Sequence, residues 1–303
     1  MSGFRLLAIH AHPDDEASKG AATTARYAAE GNRVMVLTCT GGERGDILNP
    51  AMDRPGVLEN IVSVRREEMA TAAAALGVEH VWLGYIDSGL PQGDPLPPLP
   101  QGCFALTPSL TVARDFVRII REFRPHVIVT YDENGGYPHP DHLMVHEASM
   151  LAWENAGDPD YAPELGAAWT PLKLYYTHGF VRQRMEMFHN LLLAEGRTSP
   201  YGPMLERWER NQADIMARVT TQVECAAYFP QREAALRAHA TQIDPAGAFL
   251  ATPVPVQQQL WPTEEFELAR TRVATSLPED DLFSGITADK LEPDTQHTEV
   301  NDV

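Results

Sequence analysis

Residues 5–39 run RLLAIHAHPDDEASKGAATTARYAAEGNRVMVLTC, and their reading decides the fold. Arg5 to Ile9 is a short apolar run that makes a strand. Ser18 to Glu30 has no internal proline, is rich in alanine and stops at Gly31, so a helix with a glycine C-cap follows. Arg33 to Cys39 then returns as a second strand. Strand, helix and strand in this order are the unit of a mainly parallel sheet with helices on its faces.

The pattern continues outward. Residues 59–76 carry Ile61, Val64, Met69 and Leu76 amid charges and alanines, with Gly77 behind them, and predict a helix; Val78 to Leu83 predicts a strand. Val112 to Phe123 is the next expected helix, and His126 to Thr130 and Leu172 to Thr177 the next strands. Beyond them helical patterns run to about residue 270, including a segment from Val223 to Thr241 interrupted near Pro230. Between residues 91 and 100 five prolines forbid helix and central strand, leaving a stiff loop that is either a surface linker or a wall of the cleft. The expected fold is therefore α/β, a Rossmann-like, mainly parallel sheet flanked by helices, with a smaller, mostly helical C-terminal lobe. Residues 1–170 form the core, 171–275 supply a later strand and helices that complete the cleft, and 276–303 form a tail. The tail has eight acidic residues against a single Lys290 and is expected to be disordered.

A net charge of −18 argues against nucleic acid or an anionic membrane as partner. No apolar run approaches the roughly 20 residues of a membrane helix. Met1 to Gly20 does not read as a signal peptide, because its apolar stretch ends at once in a polar cluster. Cys39, Cys103 and Cys225 match no disulfide or CxxC pattern and are read as buried small hydrophobes in a reducing compartment. A soluble, cytoplasmic protein is the expectation.

Ligands of open parallel sheets bind outside the carboxyl ends of the strands. Two polar clusters fall there: His10-Ala-His-Pro-Asp-Asp-Glu16 after the first strand, and Tyr131-Asp-Glu-Asn-Gly-Gly-Tyr-Pro-His-Pro-Asp-His142 after the strand ending at Thr130. A catalytic zinc takes about three His or carboxylate ligands and keeps a position for water. His12 and Asp15 can converge on one ion across the proline turn, and His142 can complete the set. Asp14 is then placed to take a proton from water. Capping of a helix start would explain one aspartate and neither histidine. Iron(II) suits the same ligands.

Competing motifs fail on particular residues. His142 and His146 have the spacing of an HExxH zinc helix, but Leu143 stands where that motif has its glutamate, so His146 lies behind a ligand or is exposed. His10 shares a strand side with His12 and is read as supporting or packing. Thr40-Gly-Gly-Glu-Arg-Gly45 matches no phosphate loop and is read as a flexible loop carrying Glu43 and Arg44 to the cleft mouth. No GxSxG elbow supports a serine hydrolase.

The strings AHPDDE at 11–16 and HPDH at 139–142 resemble the zinc-dependent N-deacetylases of the LmbE-like, or N-acetylglucosaminyl-phosphatidylinositol de-N-acetylase, superfamily. Longer strings, among them Leu83-Gly-Tyr-Ile-Asp-Ser-Gly-Leu-Pro and Leu236-Arg-Ala-His-Ala-Thr-Gln-Ile-Asp-Pro, are most similar to its amidases of mycothiol S-conjugates, over residues 5–285. The resemblance implies that His12, Asp15 and His142 bind zinc and Asp14 is the general base. It further implies that His139 stabilises or protonates the reacting groups, Tyr137 helps hold the oxyanion, and Asp141 orients His139 or a ligand. The implied substrate is a small thiol conjugate, a substituted cysteinyl group in amide linkage to glucosaminyl-inositol. Arg65, Asp87 and Gln242 are expected to bind its polar hydroxyls. Lys19, near a helix N-terminus where the dipole disfavours a cation, is expected to serve the cysteinyl part. Two alternatives are the related deacetylase of N-acetylglucosaminyl-inositol and, in a different class, a non-catalytic zinc-binding protein.

Overall fold

The computed structural model describes residues 3–211 and 214–287. Seven strands form one sheet: β1 (Arg5–His10), β2 (Arg33–Thr40), β3 (Glu79–Tyr85), β4 (Val127–Thr130), β5 (Lys173–His178), β6 (Thr221–Glu224) and β7 (Thr263–Thr271). Their order is β3-β2-β1-β4-β5-β7-β6. The first five pair in parallel, and β7 is antiparallel to both β5 and β6. The helices are α1 (Asp15–Ser18), α2 (Ala21–Ala29), α3 (Ile61–Leu76), α4 (Ser109–Phe123), α5 (Pro140–Asn155), α6 (Arg182–Ala194), α7 (Gly202–Asn211), α8 (Phe229–Ala238) and α9 (Val254–Leu260). The strand order reverses between β1 and β4, which opens the crevice beyond their carboxyl ends. The two polar clusters leave those two strands.

Alternation along β1 feeds both faces of the sheet. Leu7 and Ile9 pack with Val112, Phe116 and Ile120 of α4 and Val145 of α5, while Leu6 and Ala8 pack with Tyr27 of α2 and Met69 of α3. The alanines of α2 let helices approach closely: Ala21 and Ala25 meet Ala72 and Leu76 of α3 and Ala235 and Leu236 of α8. Gly77 ends α3 at φ +71, the left-handed C-cap that glycine adopts without Cβ strain. A separate cluster joins Met185, Phe188 and Leu192 on α6 to Leu205 on α7.

Two stretches differ from the sequence reading. The expected helical run hides β6 and β7. Thr263–Thr271 is TEEFELART, rich in helix-forming Glu, Leu, Ala and Arg, yet it pairs on both edges and buries Phe266. Tertiary partners override propensity here. Glu264 receives the backbone N–H groups of Ala22 (3.2 Å) and Thr23 (2.9 Å) at the start of α2, and Glu265 pairs with Arg184 (3.0 Å). Pro230 does not interrupt a helix; it sits in the first turn of α8, where its missing N–H has no helical partner to lose. The second correction concerns the tail. Residues 276–287 are packed, with Leu282, Phe283 and Ile286 in the core. Glu279 accepts hydrogen bonds from Lys173 Nζ (2.5 Å) and the Tyr175 hydroxyl (2.6 Å). Charge counted over the whole tail masked this apolar trio. Residues 288–303 lie outside the described residues.

Candidate active site

The turn leaving β1 places Asp14 at φ +114, a strained conformation for a residue with a Cβ. The backbone N–H of Asp14 donates to Glu16 Oε2 (3.0 Å), and Glu16 Oε1 lies 2.5 Å from His239 Nε2 at the end of α8. A buried ion pair thus holds the turn from behind. Burial pulls the His239 imidazole down, but Glu16 outweighs it and raises the pKa. Burial pushes Glu16 up, and His239 brings it below its ordinary value.

In front of the turn three donor atoms converge. Asp15 Oδ2 lies 3.4 Å from His12 Nδ1 and 3.3 Å from His142 Nε2. Donors held tetrahedrally at about 2.1 Å from a zinc ion are themselves about 3.4 Å apart, so the spacing fits a metal. His142 Nδ1 lies 2.8 Å from the Gly135 carbonyl, which makes it the protonated nitrogen and leaves Nε2 as the free donor atom. That Nε2 is buried and makes no hydrogen bond among the described residues. Gly135 itself has φ +70, and a Cβ there would stand 2.7 Å from the Cβ of His142, so a larger residue would displace this histidine.

Fixed partners back these side chains. Asp141, fully buried on α5, accepts from the Ser88 N–H (3.0 Å) and the Ser88 hydroxyl, and its Oδ2 lies 3.1 Å from His12 Nε2. Asp141 therefore orients the His12 imidazole. Burial lowers the His12 imidazole, yet its contacts with Asp141, Asp15 and Asp87 hold it well above the ordinary value. Asp15 accepts from the Tyr131 hydroxyl through Oδ2 (2.8 Å) and from Lys19 Nζ through Oδ1 (2.5 Å). Asp14 and Asp15 act on the Lys19 ammonium and Asp14 and Asp87 on the Arg65 guanidinium, while Asp15, Asp87 and Asp141 all approach His12.

The remaining groups face a cleft of about 670 Å³ whose lining includes Asp14, Arg65, Asp87, Tyr137, His139 and Gln242. Burial and then Asp15 raise the Asp14 carboxyl to about 6. His139 caps α5: its Nδ1 accepts from the Asp141 N–H (3.2 Å), which leaves Nε2 carrying the proton. Burial and then His12 lower its pKa to about 4, so it is neutral at pH 7. Burial and the surrounding carboxylates raise the Tyr137 phenol, which stays a donor.

The other expected residues sort by what they touch. Arg65 is buried and donates to the carbonyls of Gly42, Gly45 (3.4 Å) and Asp46 (3.4 Å), shaping the loop as well as lining the cleft. Asp87 lies 3.5 Å from His12 Nε2 and accepts from the backbone of Arg44 (2.9 Å) and Gly89 (2.8 Å). Gln242 donates to the Asp46 carbonyl (2.9 Å). Lys19 departs from its expected role: it is buried on Asp15 and does not line the cleft, so the local dipole penalty is met by the Asp15 carboxylate. Arg44 lines the cleft, whereas Glu43 turns inward to the Asp87 N–H (3.0 Å). His146 bonds the Tyr131 carbonyl (3.0 Å), and burial lowers His10, beside the Tyr131 hydroxyl, to about 4. The proline-rich stretch is a wall of the cleft. Tyr131, Ser88, Glu16 and His239 were not singled out from sequence. Each sits inside or beside a motif string, but its role depends on a partner 53 to 223 residues away.

Comparison with known proteins follows this geometry. A family model described as PIG-L: GlcNAc-PI de-N-acetylase matches residues 7–153. The chain is 57% identical over 289 residues to the mycothiol S-conjugate amidase of Streptomyces coelicolor, covering 93% of this chain and 97% of the relative. It is 38% identical over 299 residues to the 1D-myo-inositol 2-acetamido-2-deoxy-alpha-D-glucopyranoside deacetylase of Streptomyces scabiei, covering 94% and 90%. The N,N'-diacetylchitobiose deacetylase of Pyrococcus horikoshii shares the fold, with a TM-score of 0.56 over 87% of this chain and 83% of that one at 17% identity. With a turn, a donor triad and a strand order that suit such amide hydrolysis, the chain belongs to the PIG-L de-N-acetylase family, in the group that includes mycothiol S-conjugate amidase.

Proposed function

We propose that this enzyme is a zinc-dependent amidase of mycothiol S-conjugates. Water adds across the amide, releasing an N-acetylcysteine S-conjugate as the acid and glucosaminyl-inositol as the amine. The observation that carries the choice of substrate is the 57% identity to the amidase over nearly the whole chain, against 38% to the deacetylase. The chemistry rests on the convergence of His12, Asp15 and His142 beside Asp14.

A zinc ion held by those three residues would supply Lewis acidity, polarising the amide carbonyl and making a water more acidic. Iron(II) would serve the same donor set. Asp14, facing the cleft with its pKa near 6, takes the proton of the attacking water and can return it to the departing amine. The Nε2–H of neutral His139 and the hydroxyl of Tyr137 donate to the oxygen that gains charge. Asp141 holds the proton on His12 Nε2 and so keeps Nδ1 as the ligand atom. Arg65, Asp87 and Gln242 offer the cleft fixed polar groups for the sugar and inositol hydroxyls. Lys19 fixes the Asp15 carboxylate rather than the conjugate. The three buried free cysteines fit a reducing, cytoplasmic setting.

The test compares a mycothiol conjugate with N-acetylglucosaminyl-inositol on one preparation, following released amine and acid. A higher kcat/KM on the conjugate supports the reading, and a higher value on the acetylated sugar replaces it with the deacetylase. Absence of turnover on both, with zinc bound, would favour a non-catalytic zinc protein.

A further inference from the structure

Two kinds of lining meet in the cleft. Arg44, Asp46, Arg65 and Gln242 are polar, with Arg65 and Gln242 both donating to the Asp46 carbonyl, whereas Leu90, Pro91, Pro97, Pro98, Leu99 and Pro100 form an apolar wall on one continuous loop. Large apolar side chains of this lining stand in solvent: Leu48 is 59% exposed and Leu90 48%. Such a cluster beside a cleft marks a surface that covers itself with an apolar ligand. The loop is rooted in the active site at both ends. Ser88 binds Asp141 through its N–H (3.0 Å) and accepts the Ala105 N–H (3.0 Å), and the Phe104 N–H donates to the Ile86 carbonyl (2.7 Å). Prolines between these anchors fix φ along the backbone, so the wall stands before a ligand arrives.

We propose that this proline–leucine wall receives the apolar group carried on the sulfur of the conjugate while the polar groups hold the glucosaminyl-inositol; this assignment rests on the amidase reading. The wall shares its cleft with Asp14, Tyr137 and His139. A second cavity of about 70 Å³, lined by Phe180, Met185, Phe188 and Phe249, is also partly apolar but contains none of those three side chains. An open wall senses buried area more than shape, so it accepts alkyl and aryl groups of varied outline and rewards each added methylene.

The experiment measures kcat/KM for S-methyl, S-propyl and S-hexyl conjugates of mycothiol. In the wild-type enzyme each added methylene that reaches the wall should raise kcat/KM by about two- to fourfold. In the Leu90→Ser/Leu99→Ser variant the loss on the S-hexyl conjugate should exceed that on the S-methyl conjugate by about tenfold. Phe249→Ser, in the second cavity, should retain the wild-type dependence on chain length. A dependence abolished by Phe249→Ser, or equal losses on both conjugates in the double variant, overturns the inference. A wild-type rate independent of chain length does so while leaving the amidase reading intact. A wild-type enzyme with no turnover of any conjugate removes both.

Discussion

Replacing Asp141 by Asn tests how the chain selects the ligand atom of His12. The carboxylate accepts from the Ser88 N–H (3.0 Å) and Ser88 hydroxyl and also faces His12 Nε2 at 3.1 Å. An amide has the same shape but only one accepting oxygen. If its NH₂ turns to His12, the imidazole must protonate on Nδ1, the atom that faces Asp15 and the proposed metal. If its oxygen turns to His12 instead, it still accepts the Ser88 N–H, but its NH₂ meets the Ser88 hydroxyl, whose own proton loses its acceptor, at about 1–3 kcal/mol. The first arrangement disables a ligand and the second strains its support. Changes in such supporting partners lower metal affinity about 10- to 100-fold, or about 1.4 to 2.7 kcal/mol. The assay is a zinc competition with a chromophoric chelator on wild type and Asp141→Asn, with circular dichroism to verify folding. A folded variant with wild-type zinc affinity would refute the reasoning and leave His12 Nε2 as the candidate ligand atom.

Other changes should separate roles within the site. Asp14→Asn should retain zinc and lose about 10²- to 10⁴-fold in kcat, since an amide accepts no proton from water; near-native turnover would move the base elsewhere. Tyr137→Phe should lower kcat by about 10²-fold with little change in KM, and a change confined to KM would make Tyr137 a binding residue. Glu279→Gln should strand the buried Lys173 ammonium and destabilise the fold by about 3–5 kcal/mol in denaturant titrations; an unchanged midpoint would show that the 276–287 segment does not hold the core. The His239–Glu16 pair should be most stabilising between about pH 4.5 and 6.5. Glu16, shifted down, loses its contribution as pH falls through its folded pKa; His239, shifted up, loses its own as pH rises through its folded pKa. Urea titrations of wild type and His239→Gln across pH should therefore differ most in that window, and a pH-independent difference would contradict the pairing.

The parallel half of the fold was legible because its strands are apolar, its helices end at Gly31 and Gly77, and its two polar clusters leave adjacent strands. The metal-type set was legible for the same reason, since histidines and aspartates packed into two short turns have few other uses. What stayed hidden depends on distant partners. The charges of β7 look helical until Ala22, Thr23 and Arg184 are seen to satisfy Glu264 and Glu265. Leu282, Phe283 and Ile286 look isolated in an acidic tail until they join the sheet face beside Tyr27. Lys19 looked like a substrate group because its helix position is unfavourable, and only the fold reveals Asp15 Oδ1 at 2.5 Å. Asp87 reads from sequence as a substrate-binding residue, and only the fold brings it to His12.

The central claim is that His12, Asp15 and His142 hold the metal that drives hydrolysis of the conjugate. Its most direct test strips the metal from wild type, His12→Ala, Asp15→Ala and His142→Ala, then titrates zinc while following both bound metal and amine release from a mycothiol conjugate. The account predicts that wild-type turnover returns and saturates at one zinc per chain, with none of the three variants binding stoichiometric zinc or regaining turnover. Full turnover by the metal-free wild type, or stoichiometric zinc in all three variants, would contradict it.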